Sequence, residues 1–316
     1  MYSNYQKKII SHFEDALSSD TVRHAYVISG DRGIGKKTVS RAVKLLFACK
    51  THSACGECAG CKSAECGANP DVLTASNTGK TGYEIDRVRD IIKTVYEKPI
   101  VSDYKLIVLE NAHLLGKACQ NALLKAIEEP PPYAVFILLC DSVSDMLPTI
   151  MSRVMHMTLP AWGEDELGKL IDTDRFYYKY AMGNPGVLLS LSSDDDFKDL
   201  RKRVLGEFEK FLLSPPGFIY SVTKEWTSKD RKEQLKDTVN IITLFLRDVF
   251  FVKNGRSDLV INGDCMSDIQ KISDRITLRS SLEMTEVMGG CLERMKFNEN
   301  VTMVMQSVLT ELKELM

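Results

Sequence analysis

One stretch of the chain has the residue types and spacing to hold a phosphate: Gly30-Asp31-Arg32-Gly33-Ile34-Gly35-Lys36-Lys37-Thr38, placed directly after the apolar run Ala25–Ser29. Glycines at Gly30, Gly33 and Gly35 let backbone N–H groups turn inward around an anion, a following helix adds its positive end, and Lys36 can reach terminal phosphates. The position after that lysine should carry a hydroxyl for magnesium. Here it is Lys37, which cannot ligate a metal while charged. Thr38 comes one residue late, about 100° further round a helical turn. The second half of such a site is an apolar strand ending in a metal-holding carboxylate and a base. Leu106–Leu109 is that strand, but it ends in Glu110-Asn111, and the Asn111 amide cannot accept a proton. The loop is therefore expected to keep its fold while binding ATP and magnesium weakly or not at all. An active ATPase using Lys36, Thr38 and Glu110 is the alternative.

A second cluster could hold a metal. Cys49, Cys55, Cys58 and Cys61 fall within 13 residues as Cys-x5-Cys-x2-Cys-x2-Cys. Four thiolates at this spacing suit a closed, structural tetrahedral zinc site, with Gly56 and Gly60 supplying tight turns. Cys66 offers a substitute ligand and raises an iron–sulfur alternative. The fit to that alternative is poor, because four residues separate Cys61 from Cys66 and no proline follows. Cys119, Cys140, Cys265 and Cys291 read as buried small residues. His113 reads as an ordinary polar packing residue with no evident partner.

The elements that must position these groups follow from hydropathy. Strands are expected at Ala25–Ser29, Val72–Ala75, Leu106–Leu109 and Val135–Cys140, alternating with periodic stretches at Lys37–Phe47, Ile85–Val95 and Ala118–Glu129, the last stopped by Pro130-Pro131-Pro132. This alternation describes an α/β parallel sheet covered by helices. From about Trp162 the strand runs fade and helices take over. Turn formers at Ser192–Asp196 and at Ser214-Pro215-Pro216-Gly217 punctuate this part. Val239, Ile242, Phe245, Leu246 and Val249 recur at helical steps, as do Val301, Val304, Met305, Val308, Leu309, Leu312 and Leu315. Such stripes usually form an intramolecular bundle core, with a subunit-assembly face as the other reading.

Composition bounds the rest. The 316 residues suffice for two or three domains with real cores. Lys plus Arg number 41 against 43 Asp plus Glu, a net charge of −2, so no global positive field holds nucleic acid. The longest apolar run, Tyr133–Cys140, is eight residues, against about 20 needed to span a bilayer. No membrane partner is expected. Nothing in Met1–Ile10 marks the chain for export, and the cysteine spacing suits a reducing compartment, so a cytoplasmic location is expected.

The phosphate loop and cysteine module occur together with further motifs: His24-Ala25-Tyr26, Asn69-Pro70-Asp71, Tyr104-Lys105, Asn121-Ala122-Leu123-Leu124-Lys125-Ala126-Ile127-Glu128-Glu129-Pro130-Pro131 and Leu147-Pro148-Thr149-Ile150-Met151-Ser152-Arg153. In this order they resemble the AAA+ clamp-loader subunits of bacterial DNA polymerase III, from about Tyr5 to Leu191; beyond residue 200 only helical content agrees. The resemblance implies an AAA+ nucleotide-fold domain at 1–160 with a zinc module at 49–66, a small helical lid at 161–198 and an all-helical collar for oligomerisation at 199–316. Within that family, gamma and tau subunits are motors and delta-prime is the degenerate relative. Lys37, Asn111 and the absence of Arg or Lys in Gly183–Leu189 make the chain most similar to delta-prime.

The same resemblance implies that Arg153, in a Ser-Arg motif whose usual following cysteine is Val154, acts in trans as an arginine finger on the ATP and magnesium of a neighbouring motor. Implied partners are gamma/tau and delta subunits, with the sliding clamp and primer-template DNA reached through the assembly, in the bacterial replisome. Two other readings stay open: an active gamma/tau-like ATPase, and a zinc-dependent nucleic-acid-binding module supported only by Lys50 and Lys62.

Overall fold

The computed structural model describes residues 2–77, 82–297 and 300–316, with side chains 296 and 297 left undescribed. The chain separates into two compact units: Met1–Leu170 with Gly183–Gly186, and Ile171–Met182 with Val187–Met316.

In the first unit α1 (Asn4–Ser18) precedes β1 (Ala25–Ser29), and α2 (Lys36–Ala48) and α3 (Ala59–Glu65) lead to β2 (Val72–Ser76). Then follow α4 (Ile85–Val95), β3 (Lys105–Glu110), α5 (Lys117–Glu128), β4 (Ala134–Cys140), α6 (Pro148–Met151), β5 (Met155–Thr158) and α7 (Glu164–Gly168). The strands form one sheet in the order β2-β3-β4-β1-β5, every pairing parallel. Every residue of β1 and β4 is buried, as expected where helices cover both faces of a parallel sheet. Alternation sends Val27, Ile107, Phe136 and Leu138 to a core shared with Val88, Leu123 and Ile127. Tyr26 points the other way and packs 4.6 Å from Phe13 of α1, which in turn meets Phe47 of α2 at 6.1 Å.

Four strands lie where the hydropathy places them. β5 and α1 were not anticipated. β5 is a four-residue edge strand of alternating exposure whose Met155-His156-Met157-Thr158 carries no apolar run. α1 opens with a capping box, in which Ser3 Oγ accepts the Gln6 N–H at 3.2 Å and Gln6 Oε1 accepts the Ser3 N–H at 3.1 Å. The Asn69-Pro70-Asp71 motif has a structural task. Asn69 Oδ1 accepts the Asp71 N–H at 2.9 Å, and the fully buried Asp71 carboxylate accepts backbone N–H bonds from Ile100, Val101 and Ser102 at 2.6–3.0 Å.

The second unit is helical: α8 (Arg175–Tyr180), α9 (Pro185–Ser192, its first two residues grouping with the other unit), α10 (Asp195–Leu213), α11 (Ile219–Trp226), α12 (Leu235–Lys253), α13 (Met266–Ser273), α14 (Leu278–Gly289), α15 (Cys291–Phe297) and α16 (Val301–Glu314). α12 is its axis, packed against α10, α13 and α14. The stripe Val239, Ile242, Phe245, Leu246 and Val249 is buried, and Phe245 meets Phe208 edge-on at 6.0 Å. Val304, Met305, Val308, Leu309 and Leu312 of α16 are buried as well, so both amphipathic stripes serve the unit's own core. Asp248 is fully buried; burial raises its pKa while the N–H groups of Ile261 and Asn262 and the Asn262 amide, at 2.8–3.1 Å, pull against that rise.

Candidate functional site

The carboxyl edge of a parallel sheet is where loops from neighbouring strands meet. Register brings Ser29 of β1 beside Cys140 of β4, and Leu138 of β4 beside Leu109 of β3, so Gly30, Asp141 and Glu110 follow on the same edge. Gly33 and Gly35 adopt φ of 91° and 101°, left-handed values that few side chains tolerate. The loop is laced from two sides. Gln6 Nε2 donates to the Ile34 and Gly35 carbonyls at 3.3 and 3.4 Å, and Asn184 Nδ2 donates to the Arg32 carbonyl at 2.7 Å. The Gly186 N–H reaches the Gly33 carbonyl at 3.1 Å. A Cβ on Gly35 would lie 2.2 Å from Gln6 Nε2.

Lys36 is only 8% exposed, and its ammonium turns back into the protein. It donates to the Gly30 carbonyl, to the Asp31 carbonyl at 3.0 Å and to Asp141 Oδ1 at 2.7 Å, which uses all three of its protons. Lys37 Nζ lies 2.7 Å from Glu110 Oε2, with Lys37 well exposed and the Glu110 carboxylate largely covered. Asn111 sits in the left-handed region at φ 53°, a conformation asparagine accepts more readily than most residues. Thr38 is exposed and lies outside the set lining the adjacent cavity. That cavity measures about 430 Å³ and is lined by Arg32, Lys36, Lys37, Asn111 and Asp141 among others. His113 also lines it and does have a partner: its Nδ1 accepts the Asp141 N–H at 3.2 Å. Nothing in the sequence marked Asp141 beyond its place directly after β4, and Gln6 was signalled only by the Ser3-x-x-Gln6 spacing.

The cysteines gather as their spacing suggests. The sulfurs of Cys49, Cys55, Cys58 and Cys61 lie within 4.8 Å of one another, with Cys49–Cys55 at 3.6 Å and Cys55–Cys61 at 4.0 Å. Four sulfurs about 2.3 Å from a tetrahedral ion are about 3.8 Å apart, so this set could hold such a metal. Cys66, the residue that ends α3, is exposed and outside the group. Gly56 supplies a turn at φ 74°, whereas Gly60 does not. It lies inside α3, where a Cβ would fall 1.9 Å from the Ala48 carbonyl oxygen, so its task is close helix approach. Burial works against ionising Cys49, but bonds from Thr51 and from the N–H groups of Cys55 and Ser53 outweigh it and draw the thiol down to about 4. Burial pushes Cys61 up to about 12. A bound cation would favour the thiolate form of its ligands.

Arg153 follows α6 at the surface, with 40% of its side chain exposed. Its Nε pairs with Glu128 Oε1 at 2.9 Å, and Nη1 donates to the Thr149 carbonyl and Ser152 Oγ, each at 2.9 Å. The Glu128-Glu129-Pro130 and Ser152-Arg153 motifs thus meet in one ion pair.

A five-stranded parallel sheet with a glycine phosphate loop after β1 defines a protein of the P-loop nucleotide fold. The family model described as "DNA polymerase III, delta subunit" matches residues 5–162, and the chain belongs to that clamp-loader family. It is 32% identical over 186 residues to DNA polymerase III subunit gamma of Buchnera aphidicola subsp. Acyrthosiphon pisum, covering 55% of this chain and 51% of that protein. With subunit tau of Bacillus subtilis it shares 34% identity over 154 residues, 47% and 26% of the two chains. The matches therefore span about half of some curated relatives and a quarter of others. Among solved structures, a gamma subunit-related protein of Thermotoga maritima aligns over 99% of both chains at 17% identity and a TM-score of 0.44.

Proposed function

We propose that this chain is a delta-prime-like stator of the clamp loader: it does not hydrolyse ATP itself and completes a neighbouring motor's site with Arg153. The observation that carries the reading is the self-satisfied phosphate loop. Lys36 spends its three donors on Gly30, Asp31 and Asp141, Lys37 pairs with Glu110, and Asn111 offers no base. Phosphoryl transfer needs a metal, a free lysine and an oriented water at this place, and each is compromised here by a named side chain. Arg153 supports the second half of the reading, since an exposed ion pair with Glu128 holds it in place and is cheaply exchanged for a stronger anion.

In this reading zinc is the ion at Cys49, Cys55, Cys58 and Cys61, closed to a fifth ligand and structural, fixing a segment that has little apolar content between α2 and α3. Residues 1–160, 161–198 and 199–316 act as nucleotide-fold, lid and collar domains, the collar joining gamma/tau and delta subunits. The sliding clamp and primed DNA are handled by the assembly. In this reading the chain works in the cytoplasmic replisome; no helix among the described residues is long and apolar enough to cross a membrane.

A second reading, an active motor, is favoured by the gamma and tau names of relatives at 28–34% identity. Steady-state ATP hydrolysis by the purified chain with magnesium separates the two. The stator reading expects no turnover above background beside an active motor subunit as control. Robust turnover would mean that Thr38 and Glu110 suffice, and would reassign the chain as a motor.

A further inference from the structure

Magnesium is the ion a phosphate loop of this class ordinarily uses, and the residues present do not fit it. A divalent cation of this size demands about six oxygen ligands in near-octahedral array. The edge of the sheet offers the carboxylates of Glu110 and Asp141, and each is already bound by an ammonium from the first turn of α2: Lys37 on Glu110 and Lys36 on Asp141, both at 2.7 Å. The hydroxyl that would complete the set is absent from position 37, and Thr38 does not line the cavity. For magnesium to enter it would have to displace a tethered cation that is present at fixed proximity in every molecule.

The same arrangement is favourable for an anion. The cavity of about 430 Å³ beside the loop has Arg32, Lys36 and Lys37 on its wall, with glycine backbone at its floor and α2 running away from it. Of the charged side chains lining the cavity, Arg32, Lys36 and Lys37 are cations and Asp141 is the anion, so its wall carries surplus positive charge that needs no metal to supply it. Lys37 is 69% exposed on a flexible stem, so its ammonium can keep contact with Glu110 on one side while offering its other protons to a phosphate on the other.

We propose that this loop binds a polyphosphate anion independently of divalent cations, with the Lys37 ammonium, anchored by Glu110, standing in for magnesium. This rests on the reading of the loop as non-hydrolysing and extends it, from a site that has lost its chemistry to one rebuilt for passive, metal-free occupancy. A nucleoside triphosphate and free inorganic polyphosphate present the same charged group, and the test distinguishes them.

The full chain is titrated calorimetrically with ATP, and separately with pyrophosphate, in excess EDTA and again in millimolar magnesium. The expected result is an ATP Kd that agrees within about twofold between the two conditions. Lys37→Thr, at an exposed position and checked for unchanged circular dichroism, is expected to weaken ATP binding in EDTA by about tenfold and to recover it when magnesium is added, because the restored hydroxyl and the freed Glu110 then accept the metal. Pyrophosphate binding without ATP binding would overturn a nucleotide occupant and leave inorganic polyphosphate. Binding by the unaltered chain that requires magnesium, no binding of either anion at millimolar concentration, or a Lys37→Thr chain that binds in EDTA as well as the parent would each overturn the proposal. Failure here leaves the stator reading standing, since that is read by turnover and not by binding.

Discussion

Asn111 and Lys37 are the residues on which the stator proposal turns, and they act on different steps. Asn111 lacks the carboxylate that would activate water; Lys37 occupies the carboxylate of Glu110 that would help hold a metal. Repairing only the first leaves the second in force. Asn111→Glu is therefore expected to give no ATP hydrolysis above the blank, and measurable turnover would show that the Lys37–Glu110 pair is no barrier. In the proposed role Arg153 works in the opposite sense, contributing little at home and much to a neighbour. Its pair with Glu128 is solvent-exposed, so Arg153→Ala is expected to cost under about 1 kcal/mol of stability in chemical denaturation. In a reconstituted assembly the same substitution is expected to lower DNA-stimulated turnover by about tenfold or more, because a finger guanidinium stabilises charge that develops only in the transition state. Unchanged turnover would remove Arg153 from catalysis. The types of these residues were plain in the sequence, whereas their pairings were not. Lys37 and Glu110 are 73 positions apart, and only the strand order β3-β4-β1 brings them onto one edge.

At the level of elements, the cysteine module depends on how closely α3 approaches the end of α2. Gly60 sits where a Cβ would strike the Ala48 carbonyl, a backbone atom one residue before Cys49, so neither partner can yield without moving a cysteine. Gly60→Ala is expected to destabilise the chain by about 2 kcal/mol through overpacking and to lower its metal content as isolated, read by thermal melting and elemental analysis. A stable variant with full metal would mean the sulfurs do not depend on that approach. The reason a sequence reading assigns Gly60 to a turn is instructive: glycine permits positive φ and also close packing, and spacing alone cannot tell the two apart. Buried strands were legible because both faces demand apolar side chains, as in Val135–Cys140. β5 was not, because an edge strand with His156 bonded to Ser29 Oγ at 2.7 Å needs no apolar run to be held. α1 was legible in principle. Ile9, Phe13 and Leu17 recur at four-residue steps behind the Ser3-x-x-Gln6 cap, a signal masked by the lysines and other polar residues between them.

For the whole molecule, charge decides what the chain can do alone. A net charge of −2 leaves no long-range attraction for a polyanion, so any hold on DNA must come from a local patch. The patch by the cysteine module, Lys50 and Lys62, is interrupted: both are exposed, but so are Glu57 and Glu65, and Arg41 is spent on Glu65. Neutralising several phosphates at once is what gives nucleic-acid binding its strength and its steep loss with salt. Two lysines among carboxylates can neutralise few. The metal-loaded full chain is accordingly expected to show no binding of bare duplex or single-stranded DNA by fluorescence anisotropy at about 0.15 M salt, where screening acts within about 8 Å. Its helical unit argues the same way, since the stripes of α12 and α16 are consumed in its own core and leave contact with partners to other faces. Tight binding that falls steeply with added salt would instead identify the cysteine module as a nucleic-acid reader, and would favour a chain that holds DNA directly over the proposed completion of a neighbour's site.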